Sequence, residues 1–558
     1  MIQGQLASLI HDAVIAAQHG GDLPLFDPPA AAGIPIERPK LCEHGDFATP
    51  IAMKLAHPAR RPPRQIAEAI TRHLPVGDDG MVAAAEVAGP GFINLRLAVP
   101  WLVRYVDRVL AAGEHYADST MGAGRTAQVE FVSANPTGPL TVGHGRGAVI
   151  GDTLGNILQA GGYTVTREYY FNDGGLQMRT LAESVRVRAC QLLGQEIPFP
   201  HDYYVGDYIK AIAADLVADQ GPSAVEMDWT ALRDRAVEVI FTGIRQTLDR
   251  LGIHMDVYFN EMSLYDEQRP INVWEIVARL RERDLAYDAD GAVWFRATAF
   301  GADKDRVLVR SSGEPTYRLP DIAYHVDKLQ RGFDLVVNVL GADHIAQYPD
   351  IKAAVAALGY DTEGIHIVTN QFVTLVRNDE VVKMSTRRAN YVTLDELIDE
   401  VGRDAVRYFM ISRSPDSQFE FNLGLATAQS DENPVYYIQY AHARTAGIVD
   451  RNAPSYSISF DPAADVALLL HPAEVALIHQ ILRLEETLVH CIGRLEPHHL
   501  AYYATDLATR FNTFYRDCRV LQPEDVPLSQ ARLKLVKATQ IALARTLHLM
   551  GMSAPDQM

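Results

Sequence analysis

Cysteine is scarce. Cys42, Cys190, Cys491 and Cys518 stand far apart in 558 residues, with no C-x-x-C spacing among them. A disulfide framework and a cysteine-based structural zinc are therefore not expected, and a reducing compartment is. No apolar run reaches the roughly 18 residues that a membrane span needs. The opening stretch, MIQGQLASLIHDAVIAAQHGGDL, has no basic segment before an apolar core and no small-residue cleavage site. It reads as an amphipathic helix rather than a signal peptide, and a cytoplasmic protein is expected. Positive charge is in deficit: 51 Lys and Arg against 70 Asp and Glu leave a formal net charge of -19. That excludes indiscriminate coating of nucleic acid. Any polynucleotide contact must be confined to local patches and selective for shape. Internal repeats and extended low-complexity segments are also missing.

What is present is an ordinary globular composition, 48% hydrophobic and 22% charged, in a chain too long for one core. Residues 1–112 read as a small α+β unit, with helical stretches near Leu6–Gln18 and Arg64–His73 and a strand-like GPGFINLRL. Its basic cluster, Arg60, Arg61 and Arg64, is open to two readings, phosphate contact or a solvated loop. Residues 113–425 alternate strand and helix, the pattern of a parallel α/β sheet. Thr126–Ser133 is β-rich, Arg146–Ala160 is helical and Thr164–Phe171 is again a strand. Arg306–Arg310 before Asp321–Gln330, and Leu335–Leu340 before Ile345–Leu358, predict further strand–helix pairs of the same Rossmann-type sheet. Residues 176–251 read as a helical insertion. Thr393 and Glu396 form a capping box opening a helix over Leu394–Ile411, after which the pattern is all helical. Residues 426–558 read as a helical bundle.

The most informative stretch is EFVSANPTGPLTVGHGRGAVIGD, Glu130 to Asp152. It runs strand, loop, helix, with Gly143, His144, Gly145 and Gly147 at the helix entrance. Glycines there let backbone approach a phosphate chain, whose charge the helix N-terminus favours. A histidine beside them can donate to phosphoryl oxygens as charge builds. Alone, G-H-G is equally a tight turn with an incidental histidine. A second stretch, Lys383-Met384-Ser385-Thr386-Arg387 with Arg388 after it, places a lysine, hydroxyls and arginines in a loop suited to a leaving pyrophosphate. Alone, it is equally a solvated basic turn.

Together, in this order, the two stretches resemble the "HIGH" and "KMSKS" signatures of class I aminoacyl-tRNA synthetases. The fuller string through EYYFNDGGLQM resembles the arginyl-tRNA synthetase family, and the resemblance extends over essentially the whole chain. Two positions depart from the pattern: Thr141 stands for the first histidine and Thr386 for the second lysine. The resemblance implies catalysis by His144, Lys383 and Ser385. It implies ATP contacts from Thr141, Gly143, His144, Gly145, Lys383, Met384, Ser385 and Arg387. His344, in GADH, either reaches ATP or caps a helix.

A guanidinium is planar, always charged and forked, so its natural partner is a buried carboxylate. By resemblance Tyr317, Asp321 and Gln347 line the guanidinium side of an arginine pocket. Glu130, Ser133 and Asn135 meet the amino acid's other end. Taken singly, Asp321 could cap the helix after Pro320, Tyr317 could be core and Gln347 surface. DENPVYYIQYAHAR, from Asp431 to Arg444, resembles the start of the family's anticodon-binding bundle, and the N-terminal unit its tRNA-corner domain. The implied fold is multidomain α/β, with a Rossmann-type catalytic domain between an α+β domain and a helical bundle. The implied reaction joins arginine to tRNA through an adenylate. ATP would enter with magnesium, no structural metal is expected, and the chain would act as a monomer. Another nucleotidyltransferase, or a non-catalytic paralogue supported only by Thr141 and Thr386, are the competing readings.

Overall fold

The computed structural model describes residues 2–378, 380–382 and 392–558, and of Cys42, Asp343 and His344 the backbone alone. Lys383, Met384, Ser385, Thr386 and Arg387 lie outside the described residues.

The N-terminal unit packs the helices Ile2–His19, Ile51–Ala59 and Pro63–His73 on a three-stranded antiparallel sheet, Phe47–Thr49, Phe92–Leu97 and Val82–Ala88. Its Arg60 holds a left-handed cap at φ 47°, Arg61 donates to the Asp22 carbonyl and Arg64 pairs with Glu68.

At the centre lies a five-stranded sheet in the order Ile365–Asn370, Leu335–Gly341, Thr126–Glu130, Thr164–Phe171, Val257–Asn260, parallel throughout. The chain starts in the middle strand, moves to one side, then crosses to the other. The carboxyl ends of Thr126–Glu130 and Leu335–Gly341 are therefore the switch point, where a crevice opens. Alternation along the strands divides the core in two. Val337 and Val339 face one layer with the helix Val142–Ala160, whereas Val336 and Ile365 face another with Arg318–Gln330 and Tyr348–Ala357. The first layer is continuous with the N-terminal unit and with the bundle of Pro434–Gly447, Pro472–Arg494, His498–Asp517 and Val526–Leu549. The expected insertion is three helices, Gly175–Leu192, Asp207–Gln220 and Trp229–Arg250, carried between two neighbouring parallel strands. No described helix is long and apolar enough to cross a membrane.

Four expectations need correction. Arg306–Val309 joins an antiparallel meander with Ala286–Ala289 and Ala292–Phe295, not the parallel sheet. The signal was the Asp290-Gly291 turn, both residues at positive φ (52° and 75°), as a tight hairpin requires. The first parallel strand stops at Glu130 rather than Ser133, because Val132 and Ser133 turn to φ 68° and 44°. The helix from Leu394 breaks at Gly402, φ 80°, and resumes over Arg403–Met410. The chain beyond Thr393 is not all helical: Phe419–Asn422 pairs in parallel with Val373–Arg377.

Candidate functional site

The site is built at the switch point. The helix Val142–Ala160 begins four residues before the predicted Arg146, with Thr141 as its N-cap. The Thr141 amide donates to Nδ1 of His144 at 3.1 Å. With Nδ1 accepting, the neutral ring carries its proton on Nε2. Burial holds the imidazole below the ordinary histidine range. His144 is thus a neutral donor oriented by its own helix cap. Gly143 is exposed at the entrance, open for a ligand's close approach. Gly145 is buried and has a packing requirement as well: a Cβ there would lie 2.6 Å from Cδ1 of Leu394.

That contact belongs to a clamp. Thr141 bridges Thr393, and Leu394 donates its amide to Leu140 at 2.8 Å. The capping box at Thr393 and Glu396 forms as expected. Thr393, six places after Arg387, is therefore fixed against the histidine turn. Arg146 adds a second tie. Its fully buried guanidinium donates to the carbonyls of Gln371, Ser414 and Ser417 at 3.0, 2.9 and 2.7 Å. Desolvation lowers its pKa to about 10.

Three acids, Glu130, Glu261 and Asp321, gather at this end of the sheet. Glu130, at the end of the middle strand, accepts from Nζ of Lys328 at 2.6 Å and from Oγ of Ser133 at 3.0 Å. Ser133 also receives the Tyr170 amide at 3.2 Å, so its unusual backbone aims the hydroxyl between two strands. Val at φ 68° is costly, about 1–3 kcal/mol, and such strain collects where ligands are held. Asn135 bridges to Gln177 and to the Asn172 amide. Glu261 accepts from Tyr170 and Asn172 at 2.8 and 2.7 Å. The rings of Tyr170, Phe259 and Tyr324 pack together beneath, with Tyr324 4.5 and 4.6 Å from the other two.

Asp321 sits in the first turn of Arg318–Gln330 with Pro320 before it, which places the helix start after Tyr317. Among the described residues its carboxylate has no hydrogen bond or ion pair within 4 Å. Desolvation, then the charges of Glu130 and Glu261, push its pKa up to about 8 against the opposing pull of Lys328 and Arg318. Tyr317 is 76% exposed at the helix N-cap, so the core alternative for it falls. Gln347 is half-buried and ends the short turn Ala342–Gln347 rather than riding on the next helix. His344 lies in the same turn, its side chain outside the described residues.

Several residues here escaped sequence reasoning. Lys328 is fully buried, donating to Glu130 and, at 2.5 Å, to Asn338, with its cation 4.1 Å above the Tyr324 ring. Tyr348 joins Asn338 to His325 below. The missed signal was spacing: Asp321, Tyr324, His325 and Lys328 fall at i, i+3, i+4 and i+7, one helix face, and that face carries polar groups inward.

In the bundle, Tyr436 and Tyr440 stack at 5.8 Å, and Arg444 lies 4.6 and 5.3 Å over Tyr440 and Tyr515 while donating to Asn512.

Comparison with known proteins covers the chain in three parts. Residues 4–97 match the family model described as arginyl tRNA synthetase N terminal domain. Residues 105–417 match the tRNA synthetases class I (R) catalytic domain, and 438–558 the DALR anticodon binding domain. The arginine–tRNA ligase of Salinibacter ruber is 47% identical over 552 residues, covering 96% of this chain and 97% of that protein. That of Desulfotalea psychrophila is 43% identical over 560 residues and all of both chains. The Thermus thermophilus arginyl-tRNA synthetase structure, 23% identical, shares the fold at a TM-score of 0.74 over 99% of this chain and 100% of that one.

Proposed function

The chain belongs to the arginyl-tRNA synthetase family of class I synthetases, and on that premise we propose how its residues carry the reaction. It ligates L-arginine to its tRNA: arginine and ATP give arginyl-adenylate and pyrophosphate, then tRNA displaces AMP.

The observation that carries the assignment of residues is the Asp321 carboxylate, unpartnered among the described residues and facing the charges of Glu130 and Glu261. A carboxylate so placed is destabilised until a cation arrives, and a guanidinium supplies charge and fork together. We assign Asp321, Tyr317 and Gln347 to the guanidinium end, and Glu130, Ser133 and Asn135 to the α-amino and carboxylate end. Lys328 occupies one oxygen of Glu130 and holds its orientation. The attacking carboxylate then faces the entrance of Val142–Ala160, where Thr141, Gly143, Gly145 and the Nε2 proton of His144 meet the phosphates. Lys383, Met384, Ser385 and Arg387 would neutralise the leaving pyrophosphate, with His344 on the nucleotide. No protein nucleophile is needed, so catalysis is positioning and charge stabilisation.

ATP acts with a divalent metal. We infer that the metal is magnesium, held mainly by phosphates and water. The Tyr436–Tyr440–Arg444–Tyr515 array offers stacking faces for unpaired anticodon bases. Domain limits at 1–112, 113–425 and 426–558, a monomer and a cytoplasmic location complete the proposal. The buried free thiols of Cys190, Cys491 and Cys518 suit a reducing compartment.

Arginine-dependent pyrophosphate exchange, run with and without tRNA, tests this directly. Exchange that requires arginine and is lost in Asp321→Asn supports the assignment. Exchange untouched by that substitution moves the guanidinium site elsewhere.

A further inference from the structure

His490 lies in the last turn of Pro472–Arg494, His499 is the second residue of His498–Asp517, and Glu496 sits in the three-residue connection between the helices. Leu495 takes the left-handed conformation, φ 57°, as the cap of the first helix, and Pro497 starts the second. The turn is tight enough to bring three ligand-bearing side chains together. Nε2 of His490 lies 3.2 Å, and Nε2 of His499 3.0 Å, from the same oxygen of Glu496. One ligand atom from each residue falls within 4.8 Å of the other two. The imidazoles meet edge to face with centroids 4.5 Å apart. The three side chains are 49%, 35% and 39% exposed, so an ion with its water can reach them.

Two imidazoles converge on one carboxylate oxygen. As neutral rings each can donate its Nε2–H there. With both Nε2 atoms free of their protons, the same three residues present two nitrogen lone pairs and a carboxylate to one dication. Zinc–nitrogen bonds of about 2.0–2.1 Å and zinc–oxygen bonds of about 2.0–2.2 Å set tetrahedral ligand edges of roughly 3.3 Å. Two of the three edges here already stand at 3.0 and 3.2 Å, and rotation of an exposed ring closes the third. His498, its ring 4.2 Å from that of His499, keeps Nδ1 buried with no hydrogen bond among the described residues. The turn thus gathers more nitrogen than its packing uses.

We propose that His490, Glu496 and His499 form a three-ligand site for a transition-metal dication of the zinc class, with water in the fourth position. Two imidazoles and one carboxylate suit zinc rather than the all-oxygen preference of magnesium or calcium. The expectation of no structural metal rested on cysteine spacing, and this set contains no cysteine. The site lies on the bundle, apart from the proposed arginine site, and its role is a staple. Glu486, one turn before His490 on the same helix, holds Arg38 of the N-terminal unit through two bonds of 2.7 and 2.8 Å. Fixing the end of that helix fixes the anchor of the N-terminal unit.

The test uses the full chain, stripped with a chelator and titrated with Zn²⁺ by calorimetry and with Co²⁺ by absorption. One ion per chain, Co²⁺ bands of tetrahedral intensity and a Tm that rises with Zn²⁺ are expected. His490→Ala and His499→Ala should each weaken Zn²⁺ binding by more than the ~10–100-fold that loss of an outer-shell partner brings. Glu496→Gln keeps an oxygen for both rings but gives up the charge, and should weaken binding similarly. Magnesium-supported arginylation by the stripped variants should match the stripped wild type. Absence of stoichiometric binding to the wild-type chain overturns the proposal, and so does undiminished binding in any of the three variants.

Discussion

At the scale of single residues, the proposed reaction divides its chemistry between His144 and Asp321. His144 is neutral, with its proton directed by the Thr141 amide to Nε2. Its burial lowers its pKa and so favours the neutral ring. His144→Ala should lower kcat for adenylate formation roughly 10²–10³-fold, the cost of one transition-state donor, with little change in arginine binding. Pyrophosphate exchange close to wild type would remove it from that role. Asp321 has the opposite character. Its unfolded carboxyl ionises near 3.8 and its folded one near 8, so between those values the folded state holds the extra proton. The stability contributed by this group therefore falls as pH rises across that window. A guanidinium restores ionisation and expels the proton, so arginine should bind about tenfold tighter per pH unit up to about 8 and level off above. Calorimetry in buffers of different ionisation enthalpy would register the released proton, and a flat pH profile would contradict the pairing. Asp321→Asn should remove the slope, cut kcat/KM for arginine by the equivalent of roughly 3–5 kcal/mol and narrow the preference over neutral citrulline. A loss of Tm with arginine kinetics intact would make Asp321 a helix cap instead.

At the scale of elements, the sequence announced whatever has a local cause. The capping box at Thr393 and the strand Thr164–Phe171 are written in neighbouring residues, and each formed where expected; the glycines from Gly143 stand at a helix entrance as expected, though that helix starts four residues early. What depended on distant partners was hidden. Whether Arg306–Val309 joined the parallel sheet was settled by the Asp290-Gly291 hairpin, and Lys328 reads as a surface lysine until Glu130 is folded over it. Gly145 is the instructive middle case: its glycine was legible, its reason was not. The contact with Leu394 gives that reason a test. Gly145→Ala should cost about 1–3 kcal/mol from overpacking and slow adenylation by displacing the histidine turn. Leu394→Ala should cost about 2–5 kcal/mol as a cavity. Together they should be less harmful than their sum, because the smaller side chain makes the room the new methyl needs. Additive effects in stability and rate would mean that the clamp does not couple the two segments.

At the scale of the whole molecule, the sheet separates two cores, and the proposed arginine pocket straddles them. Glu130 and Ser133 hang from the middle strand, whose Ala127 and Val129 belong to the core shared with the N-terminal unit and the bundle. Asp321 and Tyr317 start the helix whose Leu319, Ile322 and Tyr324 belong to the second core, built from residues 259–365. That second core is the smaller, and much of its boundary is polar: Lys328–Glu130, and Glu168 held by Arg331 and Tyr324. Smaller units with fewer apolar contacts open at lower free energy. Bound arginine, held by groups from both sides, must then oppose separation of the second layer from the sheet. Ligand binding stabilises by mass action only the states that retain the site. Arginine alone, without ATP or tRNA, should therefore slow hydrogen exchange most strongly across residues 259–365, with the bundle of residues 434–549 scarcely changed. In Asp321→Asn that selective protection should disappear while the exchange pattern of the free protein persists. Protection spread evenly over the chain, or concentrated in the bundle, would mean that arginine does not bridge the two cores.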